Sequence, residues 1–100
     1  MAERRRAPRH PVELGELTVM PSSVPVQVLE ISTAGVLLRS EQPVKPGARG
    51  RLRLTVGGTL IAADVEVRRI SAATHAGYRV GARFVGISPE HLQAIERFAQ

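Results

Sequence analysis

The sequence contains no cysteine, no tryptophan and, among its fourteen basic residues, only one lysine, Lys45. Without cysteine, disulfides, thiolate metal sites and thiol catalysis are excluded, and a cytoplasmic setting fits. Aromatic residues number three, Tyr78, Phe84 and Phe98, of which Phe84 and Phe98 read as core. Barrels that grip single-stranded nucleic acid stack bases on aromatics, so a polynucleotide partner is weakly supported. No apolar run approaches the roughly 18 residues of a membrane helix, so no membrane insertion is expected. The arginine-rich start lacks the apolar segment of a secretory signal. His10, His75 and His91 are far apart and fall on an arm, a loop and a helix, without ligand spacing. Each reads as solvent-facing, and no metal is expected. No nucleophile sits in a known elbow. Gly57-Gly58 lacks the Gly-x-x-x-x-Gly-Lys pattern of a phosphate loop. These absences argue against an enzyme and against a cofactor.

What is present is arginine: thirteen residues, within a formal charge of +5. The guanidinium is a planar fork suited to phosphates and purine edges, whereas lysine is closer to a point charge. Genomic base composition alone would also produce such a bias, so position tells more than the total. Arg4, Arg5, Arg6 and Arg9 fall within the first ten residues, where there is no apolar periodicity. Residues 1–11 therefore read as a flexible arm, and 12–100 as one domain, large enough to bury a single core.

Along that domain, strands are expected over Glu13 to Met20, Val24 to Ile31 and Val36 to Arg39. A loop with Pro43 and Pro46 follows, from Gln42 to Gly50. Leu52, Leu54 and Val56 then alternate with Arg51, Arg53 and Thr55, and Gly57-Gly58 makes a two-residue hairpin turn. The return strand sets Ile61, Ala63, Val65 and Val67 against Ala62, Asp64, Glu66 and Arg68. Asp64 and Glu66 share a face with arginines, where ion pairing is the default reading. Ser71 to Gly77 reads as a loop, followed by a strand with Tyr78, Val80, Ala82 and Phe84 on one side. Ser88-Pro89-Glu90 opens a helix, with Leu92, Ile95, Phe98 and Ala99 as its apolar stripe. The sum is an all-β barrel of six antiparallel strands with a C-terminal α-helix docked on it.

One turn stands out. Glu30-Ile31-Ser32-Thr33-Ala34-Gly35 joins two strands through small residues. If Leu29 and Ile31 face the core, the Glu30 carboxylate faces out, beside the Ser32 hydroxyl. Gly35 either takes a positive φ or lets another group approach the main chain closely. That is a shelf for a small molecule, although most such turns only reverse the chain.

Two segments together narrow the reading. Arg5-Arg6-Ala7-Pro8-Arg9 has the form Arg-x-x-x-Arg, and roughly twenty residues later comes Glu30-x-Ser32-x-x-Gly35. This order and spacing resemble the PilZ domain, whose marks are RxxxR and then [D/N]xSxxG. Val44-Lys45-Pro46-Gly47 and Gly81-Ala82-Arg83-Phe84 look like that family too, so the resemblance covers nearly the whole chain. It implies a six-stranded barrel with a C-terminal helix and a receptor for the bacterial second messenger cyclic di-GMP. It also implies that Arg5 and Arg9 grip phosphates and guanine edges, while Glu30, Ser32 and Gly35 hold the other guanine. Arg4, just before the motif, and Arg6 close by imply two nucleotides per chain, and the family suggests a protein partner downstream. The departure is Glu30, where the family has Asp or Asn. Its carboxylate reaches about one methylene further, and members with broken motifs act as protein-interaction modules instead.

Overall fold

The structure, a computed structural model, describes residues 13–19, 22–73 and 77–99. Six strands, β1 (Glu13–Val19), β2 (Ser22–Ile31), β3 (Gly35–Ser40), β4 (Arg49–Val56), β5 (Thr59–Ala72) and β6 (Tyr78–Ile87), precede one helix, α1 (Pro89–Ala99). The strands close into an antiparallel barrel in the order β1-β2-β3-β6-β5-β4. Closure pairs β1 with β4 and β3 with β6, and so removes the open edges that a flat sheet would expose.

The inward face follows the alternating apolar residues. Leu17, Leu38, Leu52, Ile61, Val65 and Val80 are all at most 1% exposed and meet in one core. Gly57 and Gly58 have φ of 56° and 85°, which is the double positive φ of a two-residue hairpin joining Val56 to Thr59. The helix begins as its sequence indicates. The Ser88 hydroxyl accepts from the His91 N–H at 3.3 Å, and the Ser88 carbonyl accepts from the Leu92 N–H at 2.9 Å. Ile95 and Ala94 are the buried residues of α1, with Phe98 packed beside them. Docking that face is what makes so short a helix stable, because an isolated helix of this length is marginal in water.

Several boundaries differ from expectation. β4 begins at Arg49, inside the anticipated loop, and β5 continues to Ala72, past Ser71. Both extensions arise from pairing, since Arg49 lies opposite Glu66 and Ala72 opposite Tyr78. His91 is not solvent-facing. It is half-buried, with Nδ1 3.3 Å from the Ala62 N and 3.2 Å from the Ala62 O. The β5–β6 ladder ends at Ala63, so the imidazole serves the backbone one residue beyond it. One nitrogen can accept from the N–H or donate to the carbonyl, according to tautomer and charge. The expected arm, residues 1–11, lies outside the described residues, as do Met20 and His75.

Candidate functional site

Glu30 reaches the outer surface through a bulge. Val24, Val26 and Val28 point inward, so unbroken alternation would bury Glu30 as well. The register shifts between Val28 and Glu30, and Glu30 comes to lie opposite the outward-facing Leu37. An extra residue on one strand of a pair reverses the facing of all that follow. Ile31 therefore packs on the core and Glu30 is exposed. The outward carboxylate is as expected, but Val28 and Ile31 flank the switch, and Leu29 is only half-buried.

The turn after it is held locally. The Ser32 N–H donates to the Gly35 carbonyl at 2.9 Å, and the Ser32 hydroxyl oxygen accepts from the Ala34 N–H at 3.2 Å. That leaves the hydroxyl hydrogen available to another acceptor. The Ala34 carbonyl accepts from the Phe84 N–H at 3.0 Å, which pins the turn to β6. Gly35 is required by close approach rather than by positive φ. A Cβ there would lie 2.3 Å from the Ala82 carbonyl oxygen and 2.9 Å from the Arg83 Cα. The space saved is filled by β6, so packing explains this glycine without any ligand.

A second bulge supplies cations. Val67 pairs with Ala82 and Arg69 with Gly81, leaving Arg68 as the extra residue. Val67 is buried and Ile70 packs on the core, so Arg68 and Arg69 both remain outside. Arg83, from β6, is held by Glu66, with Nε donating to Oε1 at 3.0 Å. Arg49 and Arg68 also reach Glu66, at 3.9 and 4.0 Å. The Arg83 hydrogen bond above all, followed by the charges of Arg83, Arg49 and Arg68, keeps the Glu66 carboxyl below its ordinary pKa against some desolvation. Arg51 pairs with Asp64 at 3.0 Å, so ion pairing does describe this acidic face.

Glu30, Ser32, Gly35, Arg68, Arg69 and Arg83 thus line one open pocket of about 430 Å³ that also includes Leu37 and Gly81. Gly81 leaves that surface bare: a Cβ there would meet only the flexible Arg69 side chain, with Cγ at 3.2 Å. Among the described residues, Glu30 has no ion pair. Its carboxylate is an exposed acceptor beside a hydroxyl donor and three guanidinium groups. Such a set recognises a group that offers N–H donors next to negative charge. Among the described residues, no three or more His, Asp or Glu side chains gather to hold a metal.

Sequence reasoning brought forward Glu30, Ser32 and Gly35, which the fold does place together. Arg4, Arg5, Arg6 and Arg9 lie outside the described residues. It missed Arg68, Arg69, Arg83 and Gly81. The signal for the first two was available: an arginine doublet between Val67 and Ile70 breaks the period of two, as a bulge does.

No curated protein matches the sequence. Solved structures do resemble the fold. The PilZ domain, with c-di-GMP, of YcgR from Escherichia coli superposes with a TM-score of 0.75 at 20% identity, covering 97% of this chain and 89% of that one. The Bacillus subtilis inhibitor of motility MotI/DgrA gives 0.77 at 15% identity, over 96% of this chain. MrkH of K. pneumonia in its apo state gives 0.70 at 18%, also over 96%. This chain spans about half the length of the last two, 51% and 50%. The PilZ domain family model matches residues 3–100, both motifs included, and the chain belongs to that family.

Proposed function

We propose that the chain is a non-enzymatic receptor for cyclic di-GMP, cytoplasmic, without a cofactor, which passes its signal to a protein partner. The observation that carries this is the convergence of Glu30, Ser32 and Gly35 with Arg68, Arg69 and Arg83 around one open pocket. A carboxylate can accept from guanine N1–H and N2–H together, which adenine cannot offer. Each arginine fork can take guanine O6 and N7, or a phosphate, through two parallel bonds. Ser32 adds a hydroxyl, and the bare backbone at Gly81 admits a flat ring close to the barrel wall. The N-terminal Arg5 and Arg9 complete the site on this reading, with ligand binding ordering residues 4–10 over the barrel.

A second reading has one observation in its favour. Glu30 stands where the family pattern has Asp or Asn, and its longer side chain has one more rotor to fix on binding. On that reading the domain is a protein-interaction module that does not use the nucleotide. Isothermal titration with cyclic di-GMP, beside cyclic di-AMP and a short RNA, separates the two. The receptor binds the guanine nucleotide alone. The interaction module binds none, and a nucleic-acid binder favours the RNA. Arg5→Ala or Arg9→Ala is expected to weaken nucleotide binding by about 1.5–3 kcal/mol each, the scale of a hydrogen bond to a charged group. The melting temperature without ligand should hardly change. Wild-type affinity in Arg9→Ala would remove the arm from the site.

A further inference from the structure

The outer face of β1, β4 and β5 carries two leucines that the barrel does not use. Leu14 is 67% and Leu60 68% exposed, and neither belongs to the core. The register puts them in one row. Gly15 lies opposite Leu54 on β4, so Leu14, one step back along β1, comes abreast of Thr55. Thr55 in turn lies opposite Leu60 on β5. The two leucines thus flank a small side chain, about 10 Å apart across two strand spacings. Single exposed leucines are ordinary, but two on one row make a patch. The next outward row along the strands sets Glu16 opposite Arg53, and Arg53 opposite Ala62. Glu16 and Arg53 are both exposed, and among the described residues neither forms an ion pair, whereas Arg51 and Asp64 on the row beyond do.

We propose that a second copy of this chain docks on this face, as a two-fold dimer whose axis runs along the strands between β1 and β4. A two-fold exchange makes every contact twice, residue i on j and j on i, so the face must complement itself. This one does. Turned over about that axis, Glu16 of each copy meets Arg53 of its partner, and each Leu14 seats on the other copy's Thr55. The row then reads Leu60, Leu14, Leu14, Leu60, drawn alternately from the two copies. The outermost leucines lie on Gln27, which stands opposite Leu14 and carries no charge. An acidic or a basic partner would match only one of the two free charges, and an ion of either sign would leave the leucines bare. The β1–β4 junction stands across the barrel from the β3–β6 junction, so the pocket around Gly35 and Arg83 stays open in both copies. The patch is narrow, at the small end of protein interfaces, and the dimer is therefore weak and concentration-dependent.

The test is sedimentation equilibrium of the full chain, where reversible monomer–dimer exchange is expected between about 5 and 500 μM. Leu14→Ser and Leu60→Ser should each raise the dissociation constant at least about tenfold, since the dimer buries each leucine twice. The charged row gives the sharper arm. Glu16→Arg sets arginine against arginine across the axis, and Arg53→Glu sets glutamate against glutamate, so each variant alone should stay monomeric. Their equimolar mixture should associate again, because each chain then offers the charge that the other lacks. An ion pair formed only within one chain predicts no such recovery. Glu30→Gln should associate as wild type does. All four positions are exposed, and circular dichroism checks that the variants remain folded. A wild-type chain still monomeric at about 500 μM would overturn the proposal. So would a dimer that survives Leu14→Ser combined with Leu60→Ser, charge variants that each associate like wild type, or a mixture that stays monomeric.

Discussion

Gly35 and Gly81 both lack a side chain next to the candidate pocket, for opposite reasons. A methyl group at Gly35 would strike β6 backbone, with the Ala82 oxygen at 2.3 Å. Gly35→Ala is therefore expected to destabilise the barrel by about 1–3 kcal/mol, the usual cost of overpacking, as thermal denaturation would report. A methyl group at Gly81 meets only the Arg69 side chain, which can move. Gly81→Ala should leave stability within about 1 kcal/mol of wild type while weakening cyclic di-GMP binding, because it occupies the pocket surface. Comparable melting losses in both variants would contradict this division. Glu30 is separable in the same way. The exposed carboxylate supports nothing in the fold among the described residues, so Glu30→Gln should melt like wild type. It should nevertheless bind the nucleotide more weakly, while Glu30→Asp holds or improves the affinity. Unchanged affinity in Glu30→Gln would make the residue ordinary surface.

At the scale of elements, the two bulges on β2 and β5 decide what the outer wall presents. Each inserts one residue, and each turns a polar side chain outward where strict alternation would bury one. Glu66 then links three strands, drawing on Arg49 from β4, Arg68 from β5 and Arg83 from β6. Its pKa is lower folded than unfolded, so the stabilisation is present in full above the ordinary glutamate value. It is lost as the pH falls through the lowered folded value, where the native carboxylate also takes up its proton. Calorimetry from neutral pH down to below about pH 4 should therefore show a smaller acid loss in Glu66→Gln than in wild type. Parallel profiles would mean that the ion pairs around Glu66 are too exposed to matter.

For the whole molecule, the expectation concerns how many nucleotides the proposed receptor would hold. Two cyclic dinucleotides bring four phosphate charges together, and their repulsion must be offset by nearby cations. Arg4, Arg5, Arg6 and Arg9 can supply four, and Arg68 and Arg69 add two more from the barrel wall. An arginine can also stack on an exposed guanine face. Saturation at two nucleotides per chain is expected, with affinity falling as salt rises. Arg4→Leu should reduce the count to one. Wild-type saturation at one nucleotide would sink the pairing.

By itself the sequence determined the features that depend on neighbours along the chain. Alternation from Leu52 to Val56, the Gly57-Gly58 turn and the Ser88 cap are local patterns, and each stands where it was read. The outward Glu30 beside Ser32 was legible too, through alternation with Ile31, although the bulge that takes Leu29 out of the register was not. Only the tertiary structure decided what depends on one strand lying against another. A bulge is a relation between two strands, so neither strand shows it fully alone. Closure of β3 onto β6 put Arg83 and Gly81 beside a turn nearly fifty residues earlier in the chain, and gave Gly35 its packing reason. The same closure set Arg39 against Arg79. No periodicity within either strand could have announced that pair, because the two residues meet only once the barrel has formed.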